Sequence, residues 1–133
     1  MDELLRKAKQ YAEELLKKEP IVYSNELIIP KKSGVYIINF VNPSDEAMVY
    51  VGEGKDLHKR LVQNHLSASE NGENSVFRKK LNRLGIHFGE EMKDWIIENC
   101  LFSWIEIPDI DMCHLTEKLV IAHLRDRENL LND

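Results

Sequence analysis

The chain has 133 residues, of which 31% are charged and 43% are apolar, so we expect one soluble domain with its own core rather than a disordered chain. No apolar run reaches the roughly 20 residues that span a bilayer, and the acidic start Met1-Asp2-Glu3 does not resemble a secretory signal peptide. The two cysteines, Cys100 and Cys113, form no Cys-x-x-Cys pair, which favours free thiols and a cytoplasmic protein.

The net charge of −5 argues against a nucleic-acid partner, but the charge is unevenly distributed. Residues 53–85 contain seven Lys/Arg against four Asp/Glu, a net charge of +3. Residues 86–133 contain four Lys/Arg against eleven Asp/Glu, a net charge of −7. A basic middle segment fits a phosphate-binding face, and it fits solvated helix faces equally well.

The first half of the chain predicts a helix followed by a hairpin. Apolar residues at three- and four-residue spacing predict an amphipathic helix over residues 3–18. Residues 21–32 read as extended or irregular. Runs of β-branched and aromatic residues predict strands over 34–40 and 47–51, joined by the turn residues of 42–45.

The second half predicts three helices, one strand and a final helix. Helices are expected over 57–66, with Asp56 as N-cap, over 75–84, with Gly85 as C-terminal stop, and over 90–99. A third strand is expected over 101–107 and a helix over 112–125. The predicted fold class is α+β (α/β in the broad sense): a small, mostly antiparallel three-stranded sheet flanked by helices. The N-terminal helix and connector (1–32) precede a domain over 33–133 in one compact unit.

Two short triplets fall on the predicted hairpin, and an arginine follows them. Gly34-Val35-Tyr36 lies on the first strand, Tyr50-Val51-Gly52 lies on the second, and Arg60 comes eight residues after Gly52. A guanidinium presents two parallel donors to a phosphate oxygen on which negative charge develops, so this set suits phosphodiester chemistry. Aromatic strand residues and a surface arginine are the ordinary alternative.

A carboxylate on the last predicted helix adds a candidate metal ligand. The helix around Glu117 is apolar on most of its circumference, so this side chain should be partly desolvated, which is costly unless it is paired or binds metal. Mg²⁺ sites often use one carboxylate together with waters and substrate phosphate. An ion pair with a neighbouring lysine or arginine is the alternative.

These features resemble the GIY-YIG endonucleases over about residues 33–130, and residues 50–61 look especially like the nuclease domain of the bacterial excision-repair incision subunit. The resemblance implies a GIY-YIG nuclease-like fold and one Mg²⁺ or Mn²⁺ ion bound by Glu117. It implies a tyrosine that activates water, for which we favour Tyr50 with Tyr36 as positioner. It also implies a helix-end asparagine, for which Asn129 is our choice and Asn132 competes.

The chain departs from that family at two positions. The family often has His or Tyr four residues after the arginine, whereas here Asn64 occupies that position and His65 lies one residue later, about 140° around an α-helix from Arg60. The repair-subunit domain has a lysine directly after the second triplet, whereas this chain has Glu53, with Lys55 two residues on.

The sequence therefore predicts a metal-dependent endonuclease that hydrolyses nucleic acid, with DNA favoured; the alternative is a weak or inactive module of the same fold that binds nucleic acid or a protein. A homodimer or protein partner through the N-terminal helix is left open, and no membrane partner is expected. The predicted catalytic residues are Tyr36, Tyr50, Arg60, Glu117 and Asn129, and the predicted nucleic-acid contacts are Lys55, Lys59, Arg78, Lys79, Lys80 and Arg83.

Overall fold

The computed structural model describes residues 2–24 and 26–132. Every helix and strand predicted from the sequence occurs, with ends shifted by a few residues. In chain order the elements are α1 (Asp2–Lys17), β1 (Ile21–Val22), β2 (Gly34–Val41), β3 (Ala47–Gly54), a π-helix (Lys59–His65), α2 (Val76–Arg83), α3 (Glu90–Asn99), β4 (Cys100–Glu106) and α4 (Ile110–Arg125).

The sheet has four strands in the order β1-β4-β2-β3, and all neighbours are antiparallel. The predicted mixture of helices with an antiparallel sheet is confirmed, but the prediction of three strands is wrong. The additional strand, β1, pairs Ile21 with Phe102 and Val22 with Leu101. Two residues are too few to show an alternating pattern, so this segment read only as extended in the sequence.

The central strand β2 is buried on both sides because helices cover both faces of the sheet. Tyr36, Ile38 and Phe40 point into a core shared with the π-helix, α2 and α3. Val35 and Ile37 point into a second core, shared with α1 and α4. Burial on both faces explains why β2 reads as a nearly continuous apolar run instead of an alternating one.

Helix α1 belongs to the second core. Its buried residues Ala8, Ala12 and Leu15 pack in the same cluster as Val120 and Leu124 of α4. The apolar stripe that the sequence predicted for this helix is therefore used, at least in part, within the chain.

The C-terminal segment (residues 129–132) lies along the outer edge of β3. Val49 donates its N–H to the Asn129 carbonyl at 2.9 Å and accepts from the Leu131 N–H at 2.8 Å. The amide side chain of Asn132 accepts from the Val51 N–H at 2.9 Å and donates to the Val51 carbonyl at 2.7 Å. The segment thus satisfies backbone groups that an exposed edge strand would leave unpaired.

None of the helices in residues 2–24 and 26–132 is both long enough and apolar enough to cross a bilayer.

Candidate functional site

The first tyrosine of the motif crosses the glycine of the second triplet. Tyr36 and Gly52 are register partners in β2 and β3. A Cβ atom built on Gly52 would lie 2.3 Å from Cζ and from the hydroxyl oxygen of Tyr36. Any side chain at position 52 would displace the ring, so this glycine is what allows Tyr36 to lie across β3.

The helix that follows the hairpin is a π-helix, not the α-helix that the sequence predicted. Two helical residues, Leu57 and His58, precede it, and Asp56 caps this first turn as predicted, because its Oδ1 accepts from the Lys59 N–H at 2.9 Å. In a π-helix residues five apart are about one turn apart, so His65 follows Arg60 by one turn on neighbouring parts of the helix surface. The expected separation of about 140° between these two side chains is therefore wrong.

This geometry brings His65 onto Tyr36. Nε2 of His65 lies 2.6 Å from the Tyr36 hydroxyl oxygen, and Nδ1 lies 2.7 Å from Oγ of Ser75. Burial lowers the pKa of His65 to about 3, and the guanidinium groups of Arg60 and Arg78 lower it too, so the ring is neutral at physiological pH. Tyr36, His65 and Ser75 form one buried hydrogen-bonded chain.

Tyr50 lies beside Tyr36 with a freer hydroxyl. The centroids of the two rings are 6.4 Å apart, and the Tyr50 ring also packs 5.2 Å from that of Phe77. Tyr36 is 1% exposed and Tyr50 is 8% exposed. Among the described residues no side chain or backbone group hydrogen-bonds the Tyr50 hydroxyl. Burial raises the pKa of both phenols, and the Arg60 guanidinium opposes that shift at both.

Arg60 and Glu117 reach this region from opposite faces of the sheet. The Cβ atom of Arg60 lies close to Gly54: a Cβ atom built on Gly54 would be 3.3 Å from it. Glu117 lies on α4, and its charge raises the pKa values of Tyr36 and Tyr50. Arg60 and Glu117 also influence each other, because the guanidinium lowers the pKa of the carboxyl group. Tyr36, Tyr50, Arg60 and Glu117 are therefore close enough for the charges of Arg60 and Glu117 to act on both phenols.

Glu117 is held in an environment that disfavours its charge. Burial raises its pKa to about 6, and the neighbouring carboxylate of Glu53 raises it further, while His114, Lys118 and Arg60 act in the opposite direction. No hydrogen bond or ion pair joins Glu117 to another side chain in the described part of the protein. The alternative of a direct lysine or arginine partner is thus not what the structure shows.

Glu53 lies beside Glu117 and pairs with a histidine on the same helix. Oε1 of Glu53 contacts Nδ1 of His114, one turn before Glu117 on α4. The second oxygen, Oε2, is buried without a hydrogen-bond partner among the described residues. Glu53, directly after Gly52, therefore places a second carboxylate near Glu117.

A groove of about 880 Å³ is lined by Arg60, whereas Tyr36, Tyr50 and Glu117 are not among its lining residues. Cationic side chains from the strand exit, the π-helix and α2 line it together with polar groups, and Glu53 and His114 lie on its wall. The lining residues that bear on function are Lys55, Lys59, Arg60, Asn64, Ser75 and Lys79. Four cationic side chains thus face two carboxylates, Glu53 and Asp56, around this groove, which leaves it with an excess of positive charge.

Two of the predicted nucleic-acid contacts have structural partners. Arg78 is fully buried; its guanidinium donates to the carbonyls of Ser69 and Asn71 and lies 5.2 Å from the centroid of Phe88. Lys80 donates to the carbonyls of Leu131 and Asn132 at 2.9 and 3.0 Å. A buried Arg78 cannot track a phosphate backbone, so that expectation is corrected.

The remaining basic residues are available to solvent. Lys55, Lys59, Lys79 and Arg83 are exposed, and three of them, all except Arg83, line the groove. The basic residues of 53–85 thus divide into a part that lines the groove and a part that binds backbone carbonyls of the 69–71 loop and the C-terminal segment.

The structure separates the two candidate asparagines. Asn129 is exposed and reaches the Ala47 carbonyl at 3.4 Å, at the end of β3 remote from Gly52. Asn132 binds both backbone groups of Val51, between Tyr50 and Gly52. The asparagine next to the tyrosines is therefore Asn132, and Asn129 is not brought together with the other four predicted catalytic residues.

Ser75 and His114 were missed from the sequence. Ser75 read only as the start of a helix, which it caps by accepting from the Arg78 N–H at 3.0 Å. His114 was not predicted because nothing in the sequence spacing connects it to Glu53 across the sheet. Its position one turn before Glu117 is the only available signal.

Within the described residues no group of three or more His, Cys, Asp or Glu side chains is arranged to hold a metal ion. A zinc-type cage is therefore not formed by these residues.

No family model matches the chain. Comparisons with curated proteins and with solved structures give no match either.

Proposed function

We propose that the protein is a metal-dependent endonuclease of the GIY-YIG type that hydrolyses nucleic-acid phosphodiester bonds, with DNA the favoured substrate. The observation that carries this proposal is that the charges of Arg60 and Glu117 act on both Tyr36 and Tyr50, while Arg60 also lines a groove with three lysines. These side chains lie on four different elements, β2, β3, the π-helix and α4, so the fold and not their spacing in the sequence brings them near one another.

The residues present fit one Mg²⁺ or Mn²⁺ ion. Among the described residues Glu117 has no hydrogen-bond or ion-pair partner, it lies near the carboxylate of Glu53, and Oε2 of Glu53 is buried without a hydrogen-bond partner. A divalent cation relieves both the repulsion and the missing contact. Glu117 would hold the ion, and a Mg²⁺ ion completes its shell with waters and phosphate oxygens. Such an ion supplies charge neutralisation and lowers the pKa of bound water.

Each of the protein side chains then has its own role at the phosphate. Arg60 has no hydrogen bond or ion pair from its guanidinium to any described residue, so its donors are free for a non-bridging phosphate oxygen. Tyr50, whose hydroxyl has no hydrogen-bond partner among the described residues, takes the proton of the attacking water as a phenolate: its own proton, which burial retains and the Arg60 guanidinium helps to release, leaves to solvent first. Tyr36 is held by His65 and orients the attack. Lys55, Lys59 and Lys79 bind flanking phosphates.

A second candidate is an inactive module of the same fold that binds nucleic acid or protein. The observation that favours it is the Glu53–His114 pair, which places a carboxylate next to Glu117 at the point where a phosphate must bind. Two carboxylates without a bound cation repel an incoming phosphate.

Cleavage of plasmid and branched DNA with Mg²⁺ or Mn²⁺ distinguishes the two. We expect wild type to cut, and Arg60→Ala and Glu117→Gln each to lower kcat by about 10²–10³-fold, the cost of removing one group that stabilises transition-state charge. The matched control is Glu98→Gln, an exposed acid on α3, which should cut like wild type. Equal activity of wild type and Glu117→Gln across both metals would contradict the nuclease proposal for these substrates.

A further inference from the structure

Glu53 has the only carboxylate oxygen of the described residues that is buried without a hydrogen-bond partner. Its side chain is 18% exposed, and the other oxygen, Oε1, contacts Nδ1 of His114. A buried carboxylate oxygen without a donor or a cation is costly. Since Oε2 makes no hydrogen bond to Glu117, a proton shared between the two carboxyl groups does not remove that cost. Oε2 therefore lacks a positively charged or hydrogen-donating contact.

Glu53 is a lining residue of the groove that also lies near Glu117. Both Glu53 and His114 line the groove, whereas Glu117 does not. His114 and Glu117 are three residues apart on α4, so they occupy neighbouring positions on the helix surface. Burial raises the pKa of the Cys113 thiol, and the charges of both Glu53 and Glu117 raise it too. The two carboxylates are therefore near each other, and Glu53 is the one that lines the groove.

We propose that Glu53 is a second carboxylate ligand, together with Glu117, of one divalent cation, and that His114 is a positioning residue that holds Oε1 and leaves Oε2 for the cation. The resemblance to the GIY-YIG endonucleases implies Glu117 alone as the ligand, so Glu53 is an addition that this chain makes. The catalytic role of the ion rests on the proposed nuclease function, whereas its binding is measured without nucleic acid.

Two carboxylates suit the chemistry of Mg²⁺ and Mn²⁺. These cations prefer oxygen ligands, and Mg²⁺ is often bound by one or two carboxylates with waters and phosphate oxygens in the other positions. Two protein ligands also agree with the described residues, which contain no group of three or more His, Cys, Asp or Glu side chains arranged for a metal. His114 acts through Glu53, since an imidazole that holds one oxygen of a carboxylate orients the other.

The first measurement is the binding of Mn²⁺ to the nucleic-acid-free protein by isothermal titration calorimetry. We expect one ion per wild-type chain, and an affinity at least about tenfold lower in Glu53→Gln and in Glu117→Gln, because even a residue that only orients a metal ligand contributes about 10–100-fold. His114→Ala should lower the affinity less than Glu53→Gln does.

Two variants separate ligation from the loss of a charge. Asp56→Asn removes a carboxylate that lines the same groove and keeps the helix cap, because asparagine caps as well as aspartate does. We expect its Mn²⁺ affinity to stay close to that of wild type. Glu53→Asp keeps the charge and withdraws the two oxygens by one methylene group, so its affinity should fall. Urea denaturation in EDTA establishes that each variant is folded.

Three results would overturn the assignment of Glu53. One is wild-type affinity in Glu53→Gln, or an equal loss in Glu53→Gln and Asp56→Asn. Another is a wild type that binds two ions and loses one in each glutamate variant, because the carboxylates would then hold separate ions. The third is a wild type that binds no Mn²⁺. If Glu53→Gln does not fold, the comparison of Glu53→Asp with Asp56→Asn decides.

The second measurement is DNA cleavage by the same proteins over a range of Mn²⁺ concentrations. We expect Glu53→Gln to need at least about tenfold more Mn²⁺ than wild type for half of its maximal rate, in line with its lower affinity. Faster cleavage by Glu53→Gln than by wild type at every concentration would mark Glu53 as a carboxylate that repels the phosphate and would overturn the proposal.

The two measurements distinguish a failure of this assignment from a failure of the proposed function. A wild type that binds Mn²⁺ through Glu53 and cuts no DNA would refute the nuclease function and leave the ligand assignment intact. A wild type that cuts DNA, with Mn²⁺ affinity unchanged in Glu53→Gln, would refute the ligand assignment and leave the nuclease function intact.

Discussion

The folded protein favours the neutral form of the Glu117 carboxyl group. Burial and Glu53 raise its pKa from 4.5 to about 6. The folded state therefore binds more protons than the unfolded state between these two values, and the free energy of unfolding falls as pH rises through them. The stabilising contribution is complete below about pH 4.5 and is lost above about pH 6.

Replacing this carboxylate with an amide should remove that dependence. We expect metal-free Glu117→Gln to be more stable than wild type by about 1–2 kcal/mol at pH 8 and nearly equal to it at pH 4, because a shift of one pKa unit corresponds to about 1.4 kcal/mol. Urea denaturation at both pH values measures the difference. Glu98→Gln is the control, and a loss of stability at pH 8 in Glu117→Gln would contradict the assigned environment.

The C-terminal segment (residues 129–132) takes the place of a further strand along the outer edge of β3. Asn132→Ala removes both side-chain bonds to Val51 and leaves that N–H and carbonyl unpaired. We expect a loss of about 1–3 kcal/mol in the free energy of unfolding, together with lower cleavage, because Val51 lies between Tyr50 and Gly52. Denaturant titration and cleavage rates give the two readouts.

Asn129→Ala is the matched control for this segment. The same change three residues earlier removes a single contact of 3.4 Å from an exposed side chain, so we expect less than about 0.5 kcal/mol and unchanged cleavage. A larger effect at position 129 than at 132 would restore Asn129 as the functional asparagine.

Sequence patterns predicted elements well where they had a strong period, and failed where a contact spans the fold. The periodicity of α1 and the β-branched runs of β2 and β3 are local properties, so their residues were identified directly. The π-helix was not, because its extra residue changes no apolar or polar pattern that separates it from an α-helix. The burial of Arg78 depends on a loop that closes over it, which no spacing encodes.

The protein as a whole is acidic, but its main groove is basic. The net charge is −5, yet Lys55, Lys59, Arg60 and Lys79 line one surface. Association with nucleic acid should therefore depend on a few local phosphate contacts and respond strongly to salt, whereas the remaining surface repels the polyanion.

Lys59→Gln tests this directly. We expect weaker DNA binding and a slope of log K against log salt that is smaller by about one, the release expected for one phosphate contact. Fluorescence anisotropy in Ca²⁺, at several salt concentrations, measures both. Lys7→Gln, at an exposed position of α1 outside the groove, removes the same charge and should leave the slope unchanged. Equal slopes for the two variants would place the binding face elsewhere.

The π-helix also changes the number of residues that separate two side chains on the same side of the helix. It accommodates one residue more than an α-helix would use to bring an arginine and a histidine onto the same side. The wider turn places the fifth residue after Arg60, His65, in contact with Tyr36, and the fourth residue, Asn64, is not the one that makes this contact. Under the proposed function, the residue that supports the tyrosines is therefore identified by its contact with Tyr36 and not by counting residues from Arg60.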